Sequence, residues 1–329
     1  MTANLRPLNL GEILDRTFQI YRERFLLFVG IAALPALAMM GANTAERIWL
    51  NDHSADERIL IFYMTFAGLI ANAVLYHLSE FFQYLVRPVF IRITSGIIGD
   101  EKSSIHSAIA ALQERWRNLV VLNLAQLTIV LPLPALLFIG FAVGIRKIVD
   151  LYRPGSTGFA FAALLVFLIT GILAGYVLWM ESCLALAFPA SVLEGTSWFS
   201  ALKRSWRLTK GSRVRLMLTL FLTMLIGWGL NLLFASSTYF FLRIFPHGWG
   251  RWHHFFLYHL LYSLSDAVVS TLISPVFPIA VTLFYYDQRI RREGYDVERM
   301  MESAGLTAPA NQPVGGSLIT PAAEEEVQA

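Results

Sequence analysis

Residues 197–213 read SWFSALKRSWRLTKGSR, and this stretch indicates how the whole chain is organised. With helical spacing, its apolar and weakly polar side chains form one stripe, and its cations lie away from that stripe. The stripe consists of Trp198, Ala201, Leu202, Ser205, Trp206 and Thr209. Gly211 then interrupts the pattern, and an uncharged run follows from Leu216 to Leu242, which is long enough to cross a bilayer.

This arrangement predicts a basic helix in the headgroup layer that leads directly into a membrane span. The aromatic side of the helix is expected to face the membrane, and its cationic side is expected to face anionic lipid. The predicted contacts to lipid headgroups are Lys203, Arg204, Arg207, Lys210, Arg213 and Arg215.

The composition is that of a polytopic membrane protein. Hydrophobic residues make up 56% of the 329 residues, and charged residues make up only 15%. The basic residues lie beside apolar runs, so the net charge of +3 favours phospholipid over nucleic acid as the partner. Because Cys183 is the only cysteine, an intrachain disulfide and a multi-cysteine metal site are excluded, and we expect no cofactor and no metal.

The N-terminal 24 residues have the pattern of an amphipathic helix. They carry acidic residues as well as four arginines, which is untypical of a cleavable signal peptide. Asn9 and Glu12 resemble a capping box at the start of this helix. Its apolar stripe consists of Leu10, Ile13, Leu14, Thr17, Phe18, Tyr21 and Phe25. We therefore expect a second interfacial helix ahead of the first span.

Apolar runs predict about six transmembrane helices, and a third interfacial helix begins near Ser103. The predicted spans lie near residues 25–42, 59–78, 119–144, 158–180, 216–242 and 255–286. Pro35 is expected to kink the first span, and residues 43–58 are expected to form a short external loop. Residues 285–292 (YYDQRIRR) are expected to form a juxtamembrane stop. The predicted fold class is therefore an all-α polytopic membrane protein with three interfacial helices.

Three repeated units are predicted within one membrane domain, residues 1–300. The units cover about residues 8–99, 103–190 and 196–296. Each contains an aromatic residue in its interfacial helix (Phe18, Trp116 or Trp206) and a proline near the end of its second span (Pro88, Pro189 or Pro278). The proline follows the aromatic residue by 70, 73 and 72 residues. Rough spacing of this kind is also expected in an unrepeated polytopic chain, so that alternative stays open.

Lysine and arginine counts predict the orientation. The N-terminus, residues 80–117, residues 194–215 and the C-terminus together hold 19 of the 26 basic residues. Basic residues accumulate on the cytoplasmic side, so both termini are expected to be cytoplasmic. Residues 301–329 are rich in alanine, proline and glycine and are predicted to be a disordered cytoplasmic tail.

Three motifs carry a family resemblance that covers nearly all of residues 5–300. They are LNLGEILDRTF at residues 8–18, SWRLTKG at residues 205–211 and YYDQRIR at residues 285–291. The chain resembles bacterial integral membrane proteins grouped with the membrane domain of glycerophosphoryl diester phosphodiesterases. The phosphodiesterase barrel of that family, with its His-Arg-Gly element and metal-binding acids, is absent from this sequence. The resemblance implies a membrane module in the bacterial inner membrane and does not imply the enzyme activity.

Polar residues inside the spans are the remaining candidates for a site. The candidate buried polar cluster comprises Asp266, Asn72, Gln126 and Asn231, which lie at comparable depths in different predicted spans. We expect some of them to meet, either as interhelical hydrogen bonds or as a substrate or proton path. Glu80 and Glu181 lie closer to the interface and are expected to be solvated or paired with arginines such as Arg87.

Two further motifs favour structural interpretations. His247, His253, His254 and His259 have poor spacing for a metal on a helix and lie among tryptophans, which favours an interfacial aromatic belt. The glycine pairs Gly140/Gly144 and Gly171/Gly175 favour close helix packing.

Three functions remain open. The first is a non-enzymatic membrane scaffold that anchors or oligomerises, with a second copy or another membrane protein as partner. The second is a transporter or lipid-handling protein that uses Asp266. The third is an intramembrane enzyme acting on lipid headgroups, which would need acids and histidines converging at one depth. These residues are scattered and the nucleophile-elbow and P-loop motifs are absent, so the scaffold is the preferred prediction.

Overall fold

The computed structural model describes residues 6–53, 86–99, 105–130, 157–244 and 251–303. Over these ranges the chain is helical and contains no strand, which confirms the all-α prediction. The helices are α1 (Leu10–Glu23), α2 (Phe25–His53), α3 (residues 86–98), α4 (Ile105–Gln113), α5 (Trp116–Val130), α6 (Thr157–Leu184), α7 (Ala187–Glu194), α8 (Trp198–Leu208), α9 (Arg213–Ile244), α10 (Arg251–Ile273), α11 (Val276–Glu293) and α12 (Tyr295–Ser303).

Several helical runs in the described part of the chain are long and apolar enough to cross a membrane. They are Phe167–Glu194, Arg213–Ser237 and Leu260–Glu293. Helix α1 and the Phe25–Gly41 part of α2 are together long and apolar enough to cross a membrane, and the angle between them is 87°. The predicted span at 59–78 and the second half of the span at 119–144 lie outside the described residues.

The start of α1 follows the predicted capping box. The Glu12 N–H donates to Asn9 Oδ1 and the Asn9 N–H donates to Glu12 Oε2, both at 2.8 Å. These two bonds satisfy N–H groups that have no partner within the helix. The capping-box prediction is therefore confirmed.

Helix α2 is longer than the sequence pattern predicts. It continues through Pro35 and ends at His53, so the loop predicted for residues 43–58 is wrong over residues 43–53. Those residues include alanine, leucine, glutamate and arginine, which all have high helix propensity. Polar side chains end a hydrophobic run without ending a helix.

The most deeply buried helix is α11, which contacts α1, α7, α8, α9, α10 and α12. Its buried residues include Phe284 and Tyr285 as well as Asp287 and Gln288. The first half of the juxtamembrane stop predicted at residues 285–292 is therefore buried, because the neighbouring helices enclose it. A helix enclosed on all sides must bury its polar side chains, and these then need partners.

The apolar stripes of α1 and α8 face protein more than membrane. Ile13, Thr17 and Ile20 are buried on α1, which packs against α11. The small members of the α8 stripe, Ala201 and Ser205, are fully buried in a helix that packs against α7. This corrects the prediction that the stripe as a whole faces the membrane, since small residues let two helices approach closely. The aromatic members turn outward, and Phe18, Trp116 and Trp206 are 48%, 58% and 45% exposed.

Two of the long helical runs are interrupted at similar places. Helices α6 and α7 are separated at residues 185–186, and helices α10 and α11 are separated at residues 274–275. The span predicted near residues 255–286 overlaps the candidate span Leu260–Glu293, whereas the interruption within it was not predicted. In both cases a proline, Pro189 or Pro278, is the third residue of the following helix, where its missing N–H removes no hydrogen bond.

Candidate functional site

The best-built polar site joins the N-terminal segment to α11. Asp287, whose side chain is completely buried, accepts a hydrogen bond from the Leu8 N–H at 2.8 Å. Its carboxylate also accepts from Arg291 Nε at 2.9 and 3.0 Å and from Gln288 Nε2 at 3.0 Å. A buried carboxylate is stable only when hydrogen bonds and opposite charge replace its hydration. The N-terminal segment supplies part of that replacement.

Two arginines complete this site by binding the carbonyl group of the same residue, Leu8. Arg291 Nη2 and Arg215 Nη2 donate to the Leu8 carbonyl at 2.8 and 2.9 Å. Arg215 Nη1 lies 3.6 Å from Asp287 Oδ2, and its guanidinium lies 5.4 Å from the ring centre of Phe284. We call Leu8, Arg215, Asp287 and Arg291 the terminal latch, because they connect α1, α9 and α11 at one point.

A second ionic cluster surrounds Glu194 at the end of α7. Glu194 pairs with Arg204 and accepts a hydrogen bond from the Tyr285 hydroxyl. Arg204 Nη2 donates to Glu293 at 2.9 Å, and Arg289 Nε lies 3.2 Å from Glu293 and 3.9 Å from Glu194. We call these five residues the α7–α8–α11 cluster, after the three helices that supply them.

The electrostatics of this cluster favour the charged form of its arginines. Burial acts to lower the pKa of Arg204, but its hydrogen bonds and ion pairs with Glu194 and Glu293 outweigh burial and hold the pKa above its ordinary value. Arg289 also stacks on Tyr295, with its guanidinium 4.0 Å from the ring centre. The cluster therefore fixes the charge and the orientation of its side chains where the three helices meet.

The break between α6 and α7 is stabilised by side chains from other helices. Ser205 Oγ donates to the Cys183 carbonyl at 2.8 Å and accepts from the Leu186 N–H at 3.2 Å. Thr209 Oγ1 donates to the same carbonyl at 3.3 Å, and Gln126 Nε2 donates to the Leu184 carbonyl at 2.9 Å. An interrupted helix needs such partners, since an unpaired buried carbonyl destabilises the fold.

The break between α10 and α11 has a similar partner from α1. Tyr21 Oη donates to the Leu272 carbonyl at 2.9 Å. In both interrupted runs, an amphipathic helix (α1) or the residue that ends one (Thr209, after α8) therefore supplies a hydroxyl group to a carbonyl just before the break.

A small cavity lies where α3, α7 and α11 meet. Its lining includes Arg87, Phe188 and Phe277, each of which directly precedes a proline, together with Gln126 and Glu181. The guanidinium of Arg87 lies 5.7 Å from the ring centre of Phe277. The cavity has room for about one water molecule. It therefore fits a bridging water better than an organic substrate.

The predicted buried polar residues do not all share one site. Asn231 and Asp266 lie close enough for their side chains to interact between α9 and α10. Gln126 instead donates a hydrogen bond to the Leu184 carbonyl, and Asn72 lies outside the described residues. A residue that was missed, Asn123, is buried on α5 with neither its Nδ2 nor its Oδ1 hydrogen-bonded. Its place one turn before Gln126 is a signal that could have identified it.

The six predicted headgroup contacts separate into two groups. Lys203, Arg207 and Lys210 are exposed, and Arg213 is half-buried against two tryptophans. Arg204 and Arg215 instead point inward to the ionic sites described above, which corrects their predicted role. Two cations were misassigned because their carboxylate partners lie far away in sequence.

Among the described residues, no other helix makes the predicted close contact with the glycine pair on α6. A Cβ atom at Gly171 or Gly175 would have no atom within 4 Å apart from its own helix. Gly140 and Gly144 lie outside the described residues, as do the side chains of His247, His253, His254 and His259.

Asn118 is a structural residue for which the sequence offered no signal. Its Oδ1 accepts from the Trp198 N–H at 2.7 Å at the start of α8. Its Nδ2 donates to Ser191 Oγ at 3.0 Å and to the Thr196 carbonyl at 3.1 Å. Asn118 therefore caps α8 from α5, although Ser197 is the residue that precedes α8 and makes no side-chain cap.

Comparison with known proteins places most of the chain in one family. The family described as Domain of unknown function (DUF7847) matches residues 13–288. No curated protein and no solved structure matches the chain. The matched residues include most of α1, all of α8 and α9 and most of α11, and they contain Asp287.

Proposed function

Because the chain belongs to the DUF7847 family, whose description names no activity, we propose from its geometry that it is a non-enzymatic multi-pass membrane scaffold. One observation carries this proposal: in the two polar sites described above, the charged groups bind other helices of the same chain. The terminal latch and the α7–α8–α11 cluster both connect residues far apart in sequence. Catalytic sites instead leave reactive groups open to a substrate.

The proposed scaffold consists of three units and six spans arranged as a ring. Support comes from equivalent contacts in the first and third units. Tyr21 and Thr209 each lie three residues after the aromatic residue of their unit, and their acceptors Leu272 and Cys183 each lie six residues before a proline. This correspondence of donors and acceptors supports the proposed repeat beyond the spacing alone.

The helix contacts support the same order of units. Interfacial helix α1 and the following α2 pack on α11 and α10 of the third unit. Helices α8 and α9 of the third unit pack in the same way on α7 and α6 of the second unit. The first unit therefore packs on the third unit, and the third packs on the second. A ring closes if the second unit packs on the first. In such a ring the cavity between Arg87, Phe188 and Phe277 lies near the axis.

Distances between spin labels test the ring. We expect single cysteines at Phe18, Trp116 and Trp206, introduced in pairs into a Cys183→Ala chain, to give three similar label-to-label distances by pulsed electron paramagnetic resonance. All three positions are exposed, so labels there do not disturb the core. If the units form an open row, one distance approaches the sum of the other two, and the ring is ruled out. Unchanged thermal unfolding of the unlabelled variants serves as the control.

The scaffold function predicts a partner that is a protein. Native mass spectrometry of the protein, extracted gently with its own lipids, is expected to give a defined oligomer or a co-purifying membrane protein. A monomer that carries a stoichiometric metabolite would contradict the scaffold.

A transporter or lipid-handling protein is the second candidate, and the proximity of Asp266 on α10 to Asn231 on α9 favours it. An ionisable side chain between two spans is a frequent feature of substrate and proton paths. In that case the metabolite disappears in Asp266→Asn, whereas the Ser265→Ala control retains it. If Asp266→Asn changes neither the bound species nor the stability, the path is excluded.

The proposed location is the bacterial inner membrane, with both termini in the cytoplasm. The count of basic residues supports this orientation. The resemblance to the membrane domain of glycerophosphoryl diester phosphodiesterases stays a prediction and adds no activity to the proposal.

A further inference from the structure

The region around α8 has an unusual charge distribution. Residues 195–265 contain no aspartate and no glutamate, yet six lysines and arginines fall within residues 203–215. No acidic neighbour in this stretch can neutralise them. Their partners must come from other parts of the chain or from outside it.

The structure shows which of these charges find a partner inside the protein. Arg204 pairs with Glu194 and Glu293, and Arg215 lies beside Asp287. Lys203, Arg207 and Lys210 are exposed, and no carboxylate among the described residues lies within ion-pair distance of them. Three charges therefore remain on one short surface.

The turn between α8 and α9 brings in further positive charge. Arg292, from the end of α11, donates a hydrogen bond to the Lys210 carbonyl. Arg213, the first residue of α9, donates to the Trp206 carbonyl at 3.4 Å. A cluster of like charges in one turn is unfavourable unless an anion compensates it.

Two tryptophans flank the same turn. The guanidinium of Arg213 lies 4.3 Å from the ring centre of Trp206 and 5.6 Å from that of Trp179. Both indoles are partly exposed. Tryptophan favours the boundary between headgroups and hydrocarbon. A candidate membrane span begins at Arg213, which puts the turn at that same boundary.

We propose that the α8–α9 turn binds the phosphate of an anionic phospholipid through Lys203, Arg207 and Lys210, with Trp179 and Trp206 against its glycerol and upper acyl region. The inference rests on the proposed placement of the protein in a bilayer and does not depend on the scaffold role. The turn combines positive charge and indole rings at the start of a span. At the boundary between headgroups and hydrocarbon, a lipid is the ligand that can contact all of these groups. A soluble anion would bind the cations without packing against the two tryptophans.

Selectivity for a spin-labelled lipid tests the site. The full-length protein is reconstituted in phosphatidylcholine bilayers, and the association of labelled phosphatidylglycerol relative to labelled phosphatidylcholine is measured. The Lys203→Gln/Arg207→Gln/Lys210→Gln variant is expected to lose roughly fivefold in relative association for each charge removed. The Arg16→Gln/Arg22→Gln/Arg24→Gln variant removes the same charge from the region of α1 and is expected to keep the selectivity.

Three outcomes would overturn the site. The first is unchanged selectivity in the α8 variant. The second is an equal loss in the α1 variant, which would mean that only the total charge matters. The third is displacement of the labelled lipid by millimolar inorganic phosphate, which would indicate a soluble anion. A metabolite found by native mass spectrometry would contradict the scaffold and leave this result unaffected, so the two failures are distinguishable.

Discussion

Replacing Asp287 by alanine is expected to lower the free energy of unfolding by about 3–5 kcal/mol, which is enough to prevent accumulation of folded protein. The buried carboxylate accepts from the Leu8 N–H and from Arg291, and Arg215 lies beside it. Its removal leaves two guanidinium groups without their counter-charge and one buried N–H without an acceptor.

Thermal unfolding in detergent, followed by circular dichroism, measures this effect. Asp15→Ala is the matched control, because Asp15 is an exposed carboxylate on α1, and it is expected to change stability by less than about 0.5 kcal/mol. Arg291→Ala is expected to be intermediate, since Arg215 still donates to the Leu8 carbonyl. Equal stability of Asp287→Ala and the control would show that the terminal latch contributes nothing to the fold.

Replacing Glu194 by alanine is expected to lower the free energy of unfolding by about 2–3 kcal/mol. Glu194 accepts from the buried Tyr285 hydroxyl and pairs with Arg204. Glu293 remains as a partner for Arg204 and Arg289, so the loss is smaller than at Asp287. The Tyr285 hydroxyl then has no acceptor, which accounts for much of the cost.

Glu194→Gln separates charge from hydrogen bonding at this site. Its amide oxygen still accepts from Tyr285, so this variant is expected to be more stable than Glu194→Ala. Glu114→Ala, at an exposed glutamate beyond the end of α4, is the control and is expected to leave the unfolding midpoint unchanged. If Glu194→Ala unfolds at the same temperature as this control, the ion pairs of the cluster contribute nothing measurable to stability, as is common for surface ion pairs.

Local patterns predicted much of the fold. The capping box at Asn9 and Glu12 is formed within four residues, so a short sequence contains all the information it requires. The start of α8 after Ser197 and the end of its helical pattern before Gly211, which has a φ of +89°, were recognised in the same way. The hydrophobic runs likewise indicated long helices because hydropathy is a local property.

The same local patterns did not predict whether protein or lipid covers each face of a helix. The aromatic and small residues of α8 form one stripe in sequence, yet Ala201 and Ser205 face protein and Trp206 faces outward. A helical stripe reports that one face is apolar and says nothing of whether lipid or protein covers it. The interruption at residues 274–275 was missed because its stabilising partner, Tyr21, lies 251 residues from Leu272.

Candidate sites were the least predictable feature. Asp266 and Asn231 were identified by depth within their spans, and they lie close to each other, whereas Gln126 donates a hydrogen bond to the Leu184 carbonyl at a helix break. Asp287 was predicted only as part of a juxtamembrane stop, because basic residues follow it. The signal available for it was the i,i+4 pair with Arg291, which indicates an ion pair and does not indicate burial.

The sequence by itself determined the helical content, the amphipathic character of α1 and α8, and the side of each helix that carries charge. These properties depend on residues within one or two turns of each other. Only the tertiary structure decided which cations are neutralised internally and which remain exposed. Asp287 and Leu8 are 279 residues apart, and Arg204 and Glu293 are 89 residues apart. Such pairs depend on how helices pack, and packing is decided by contacts distributed over the whole chain.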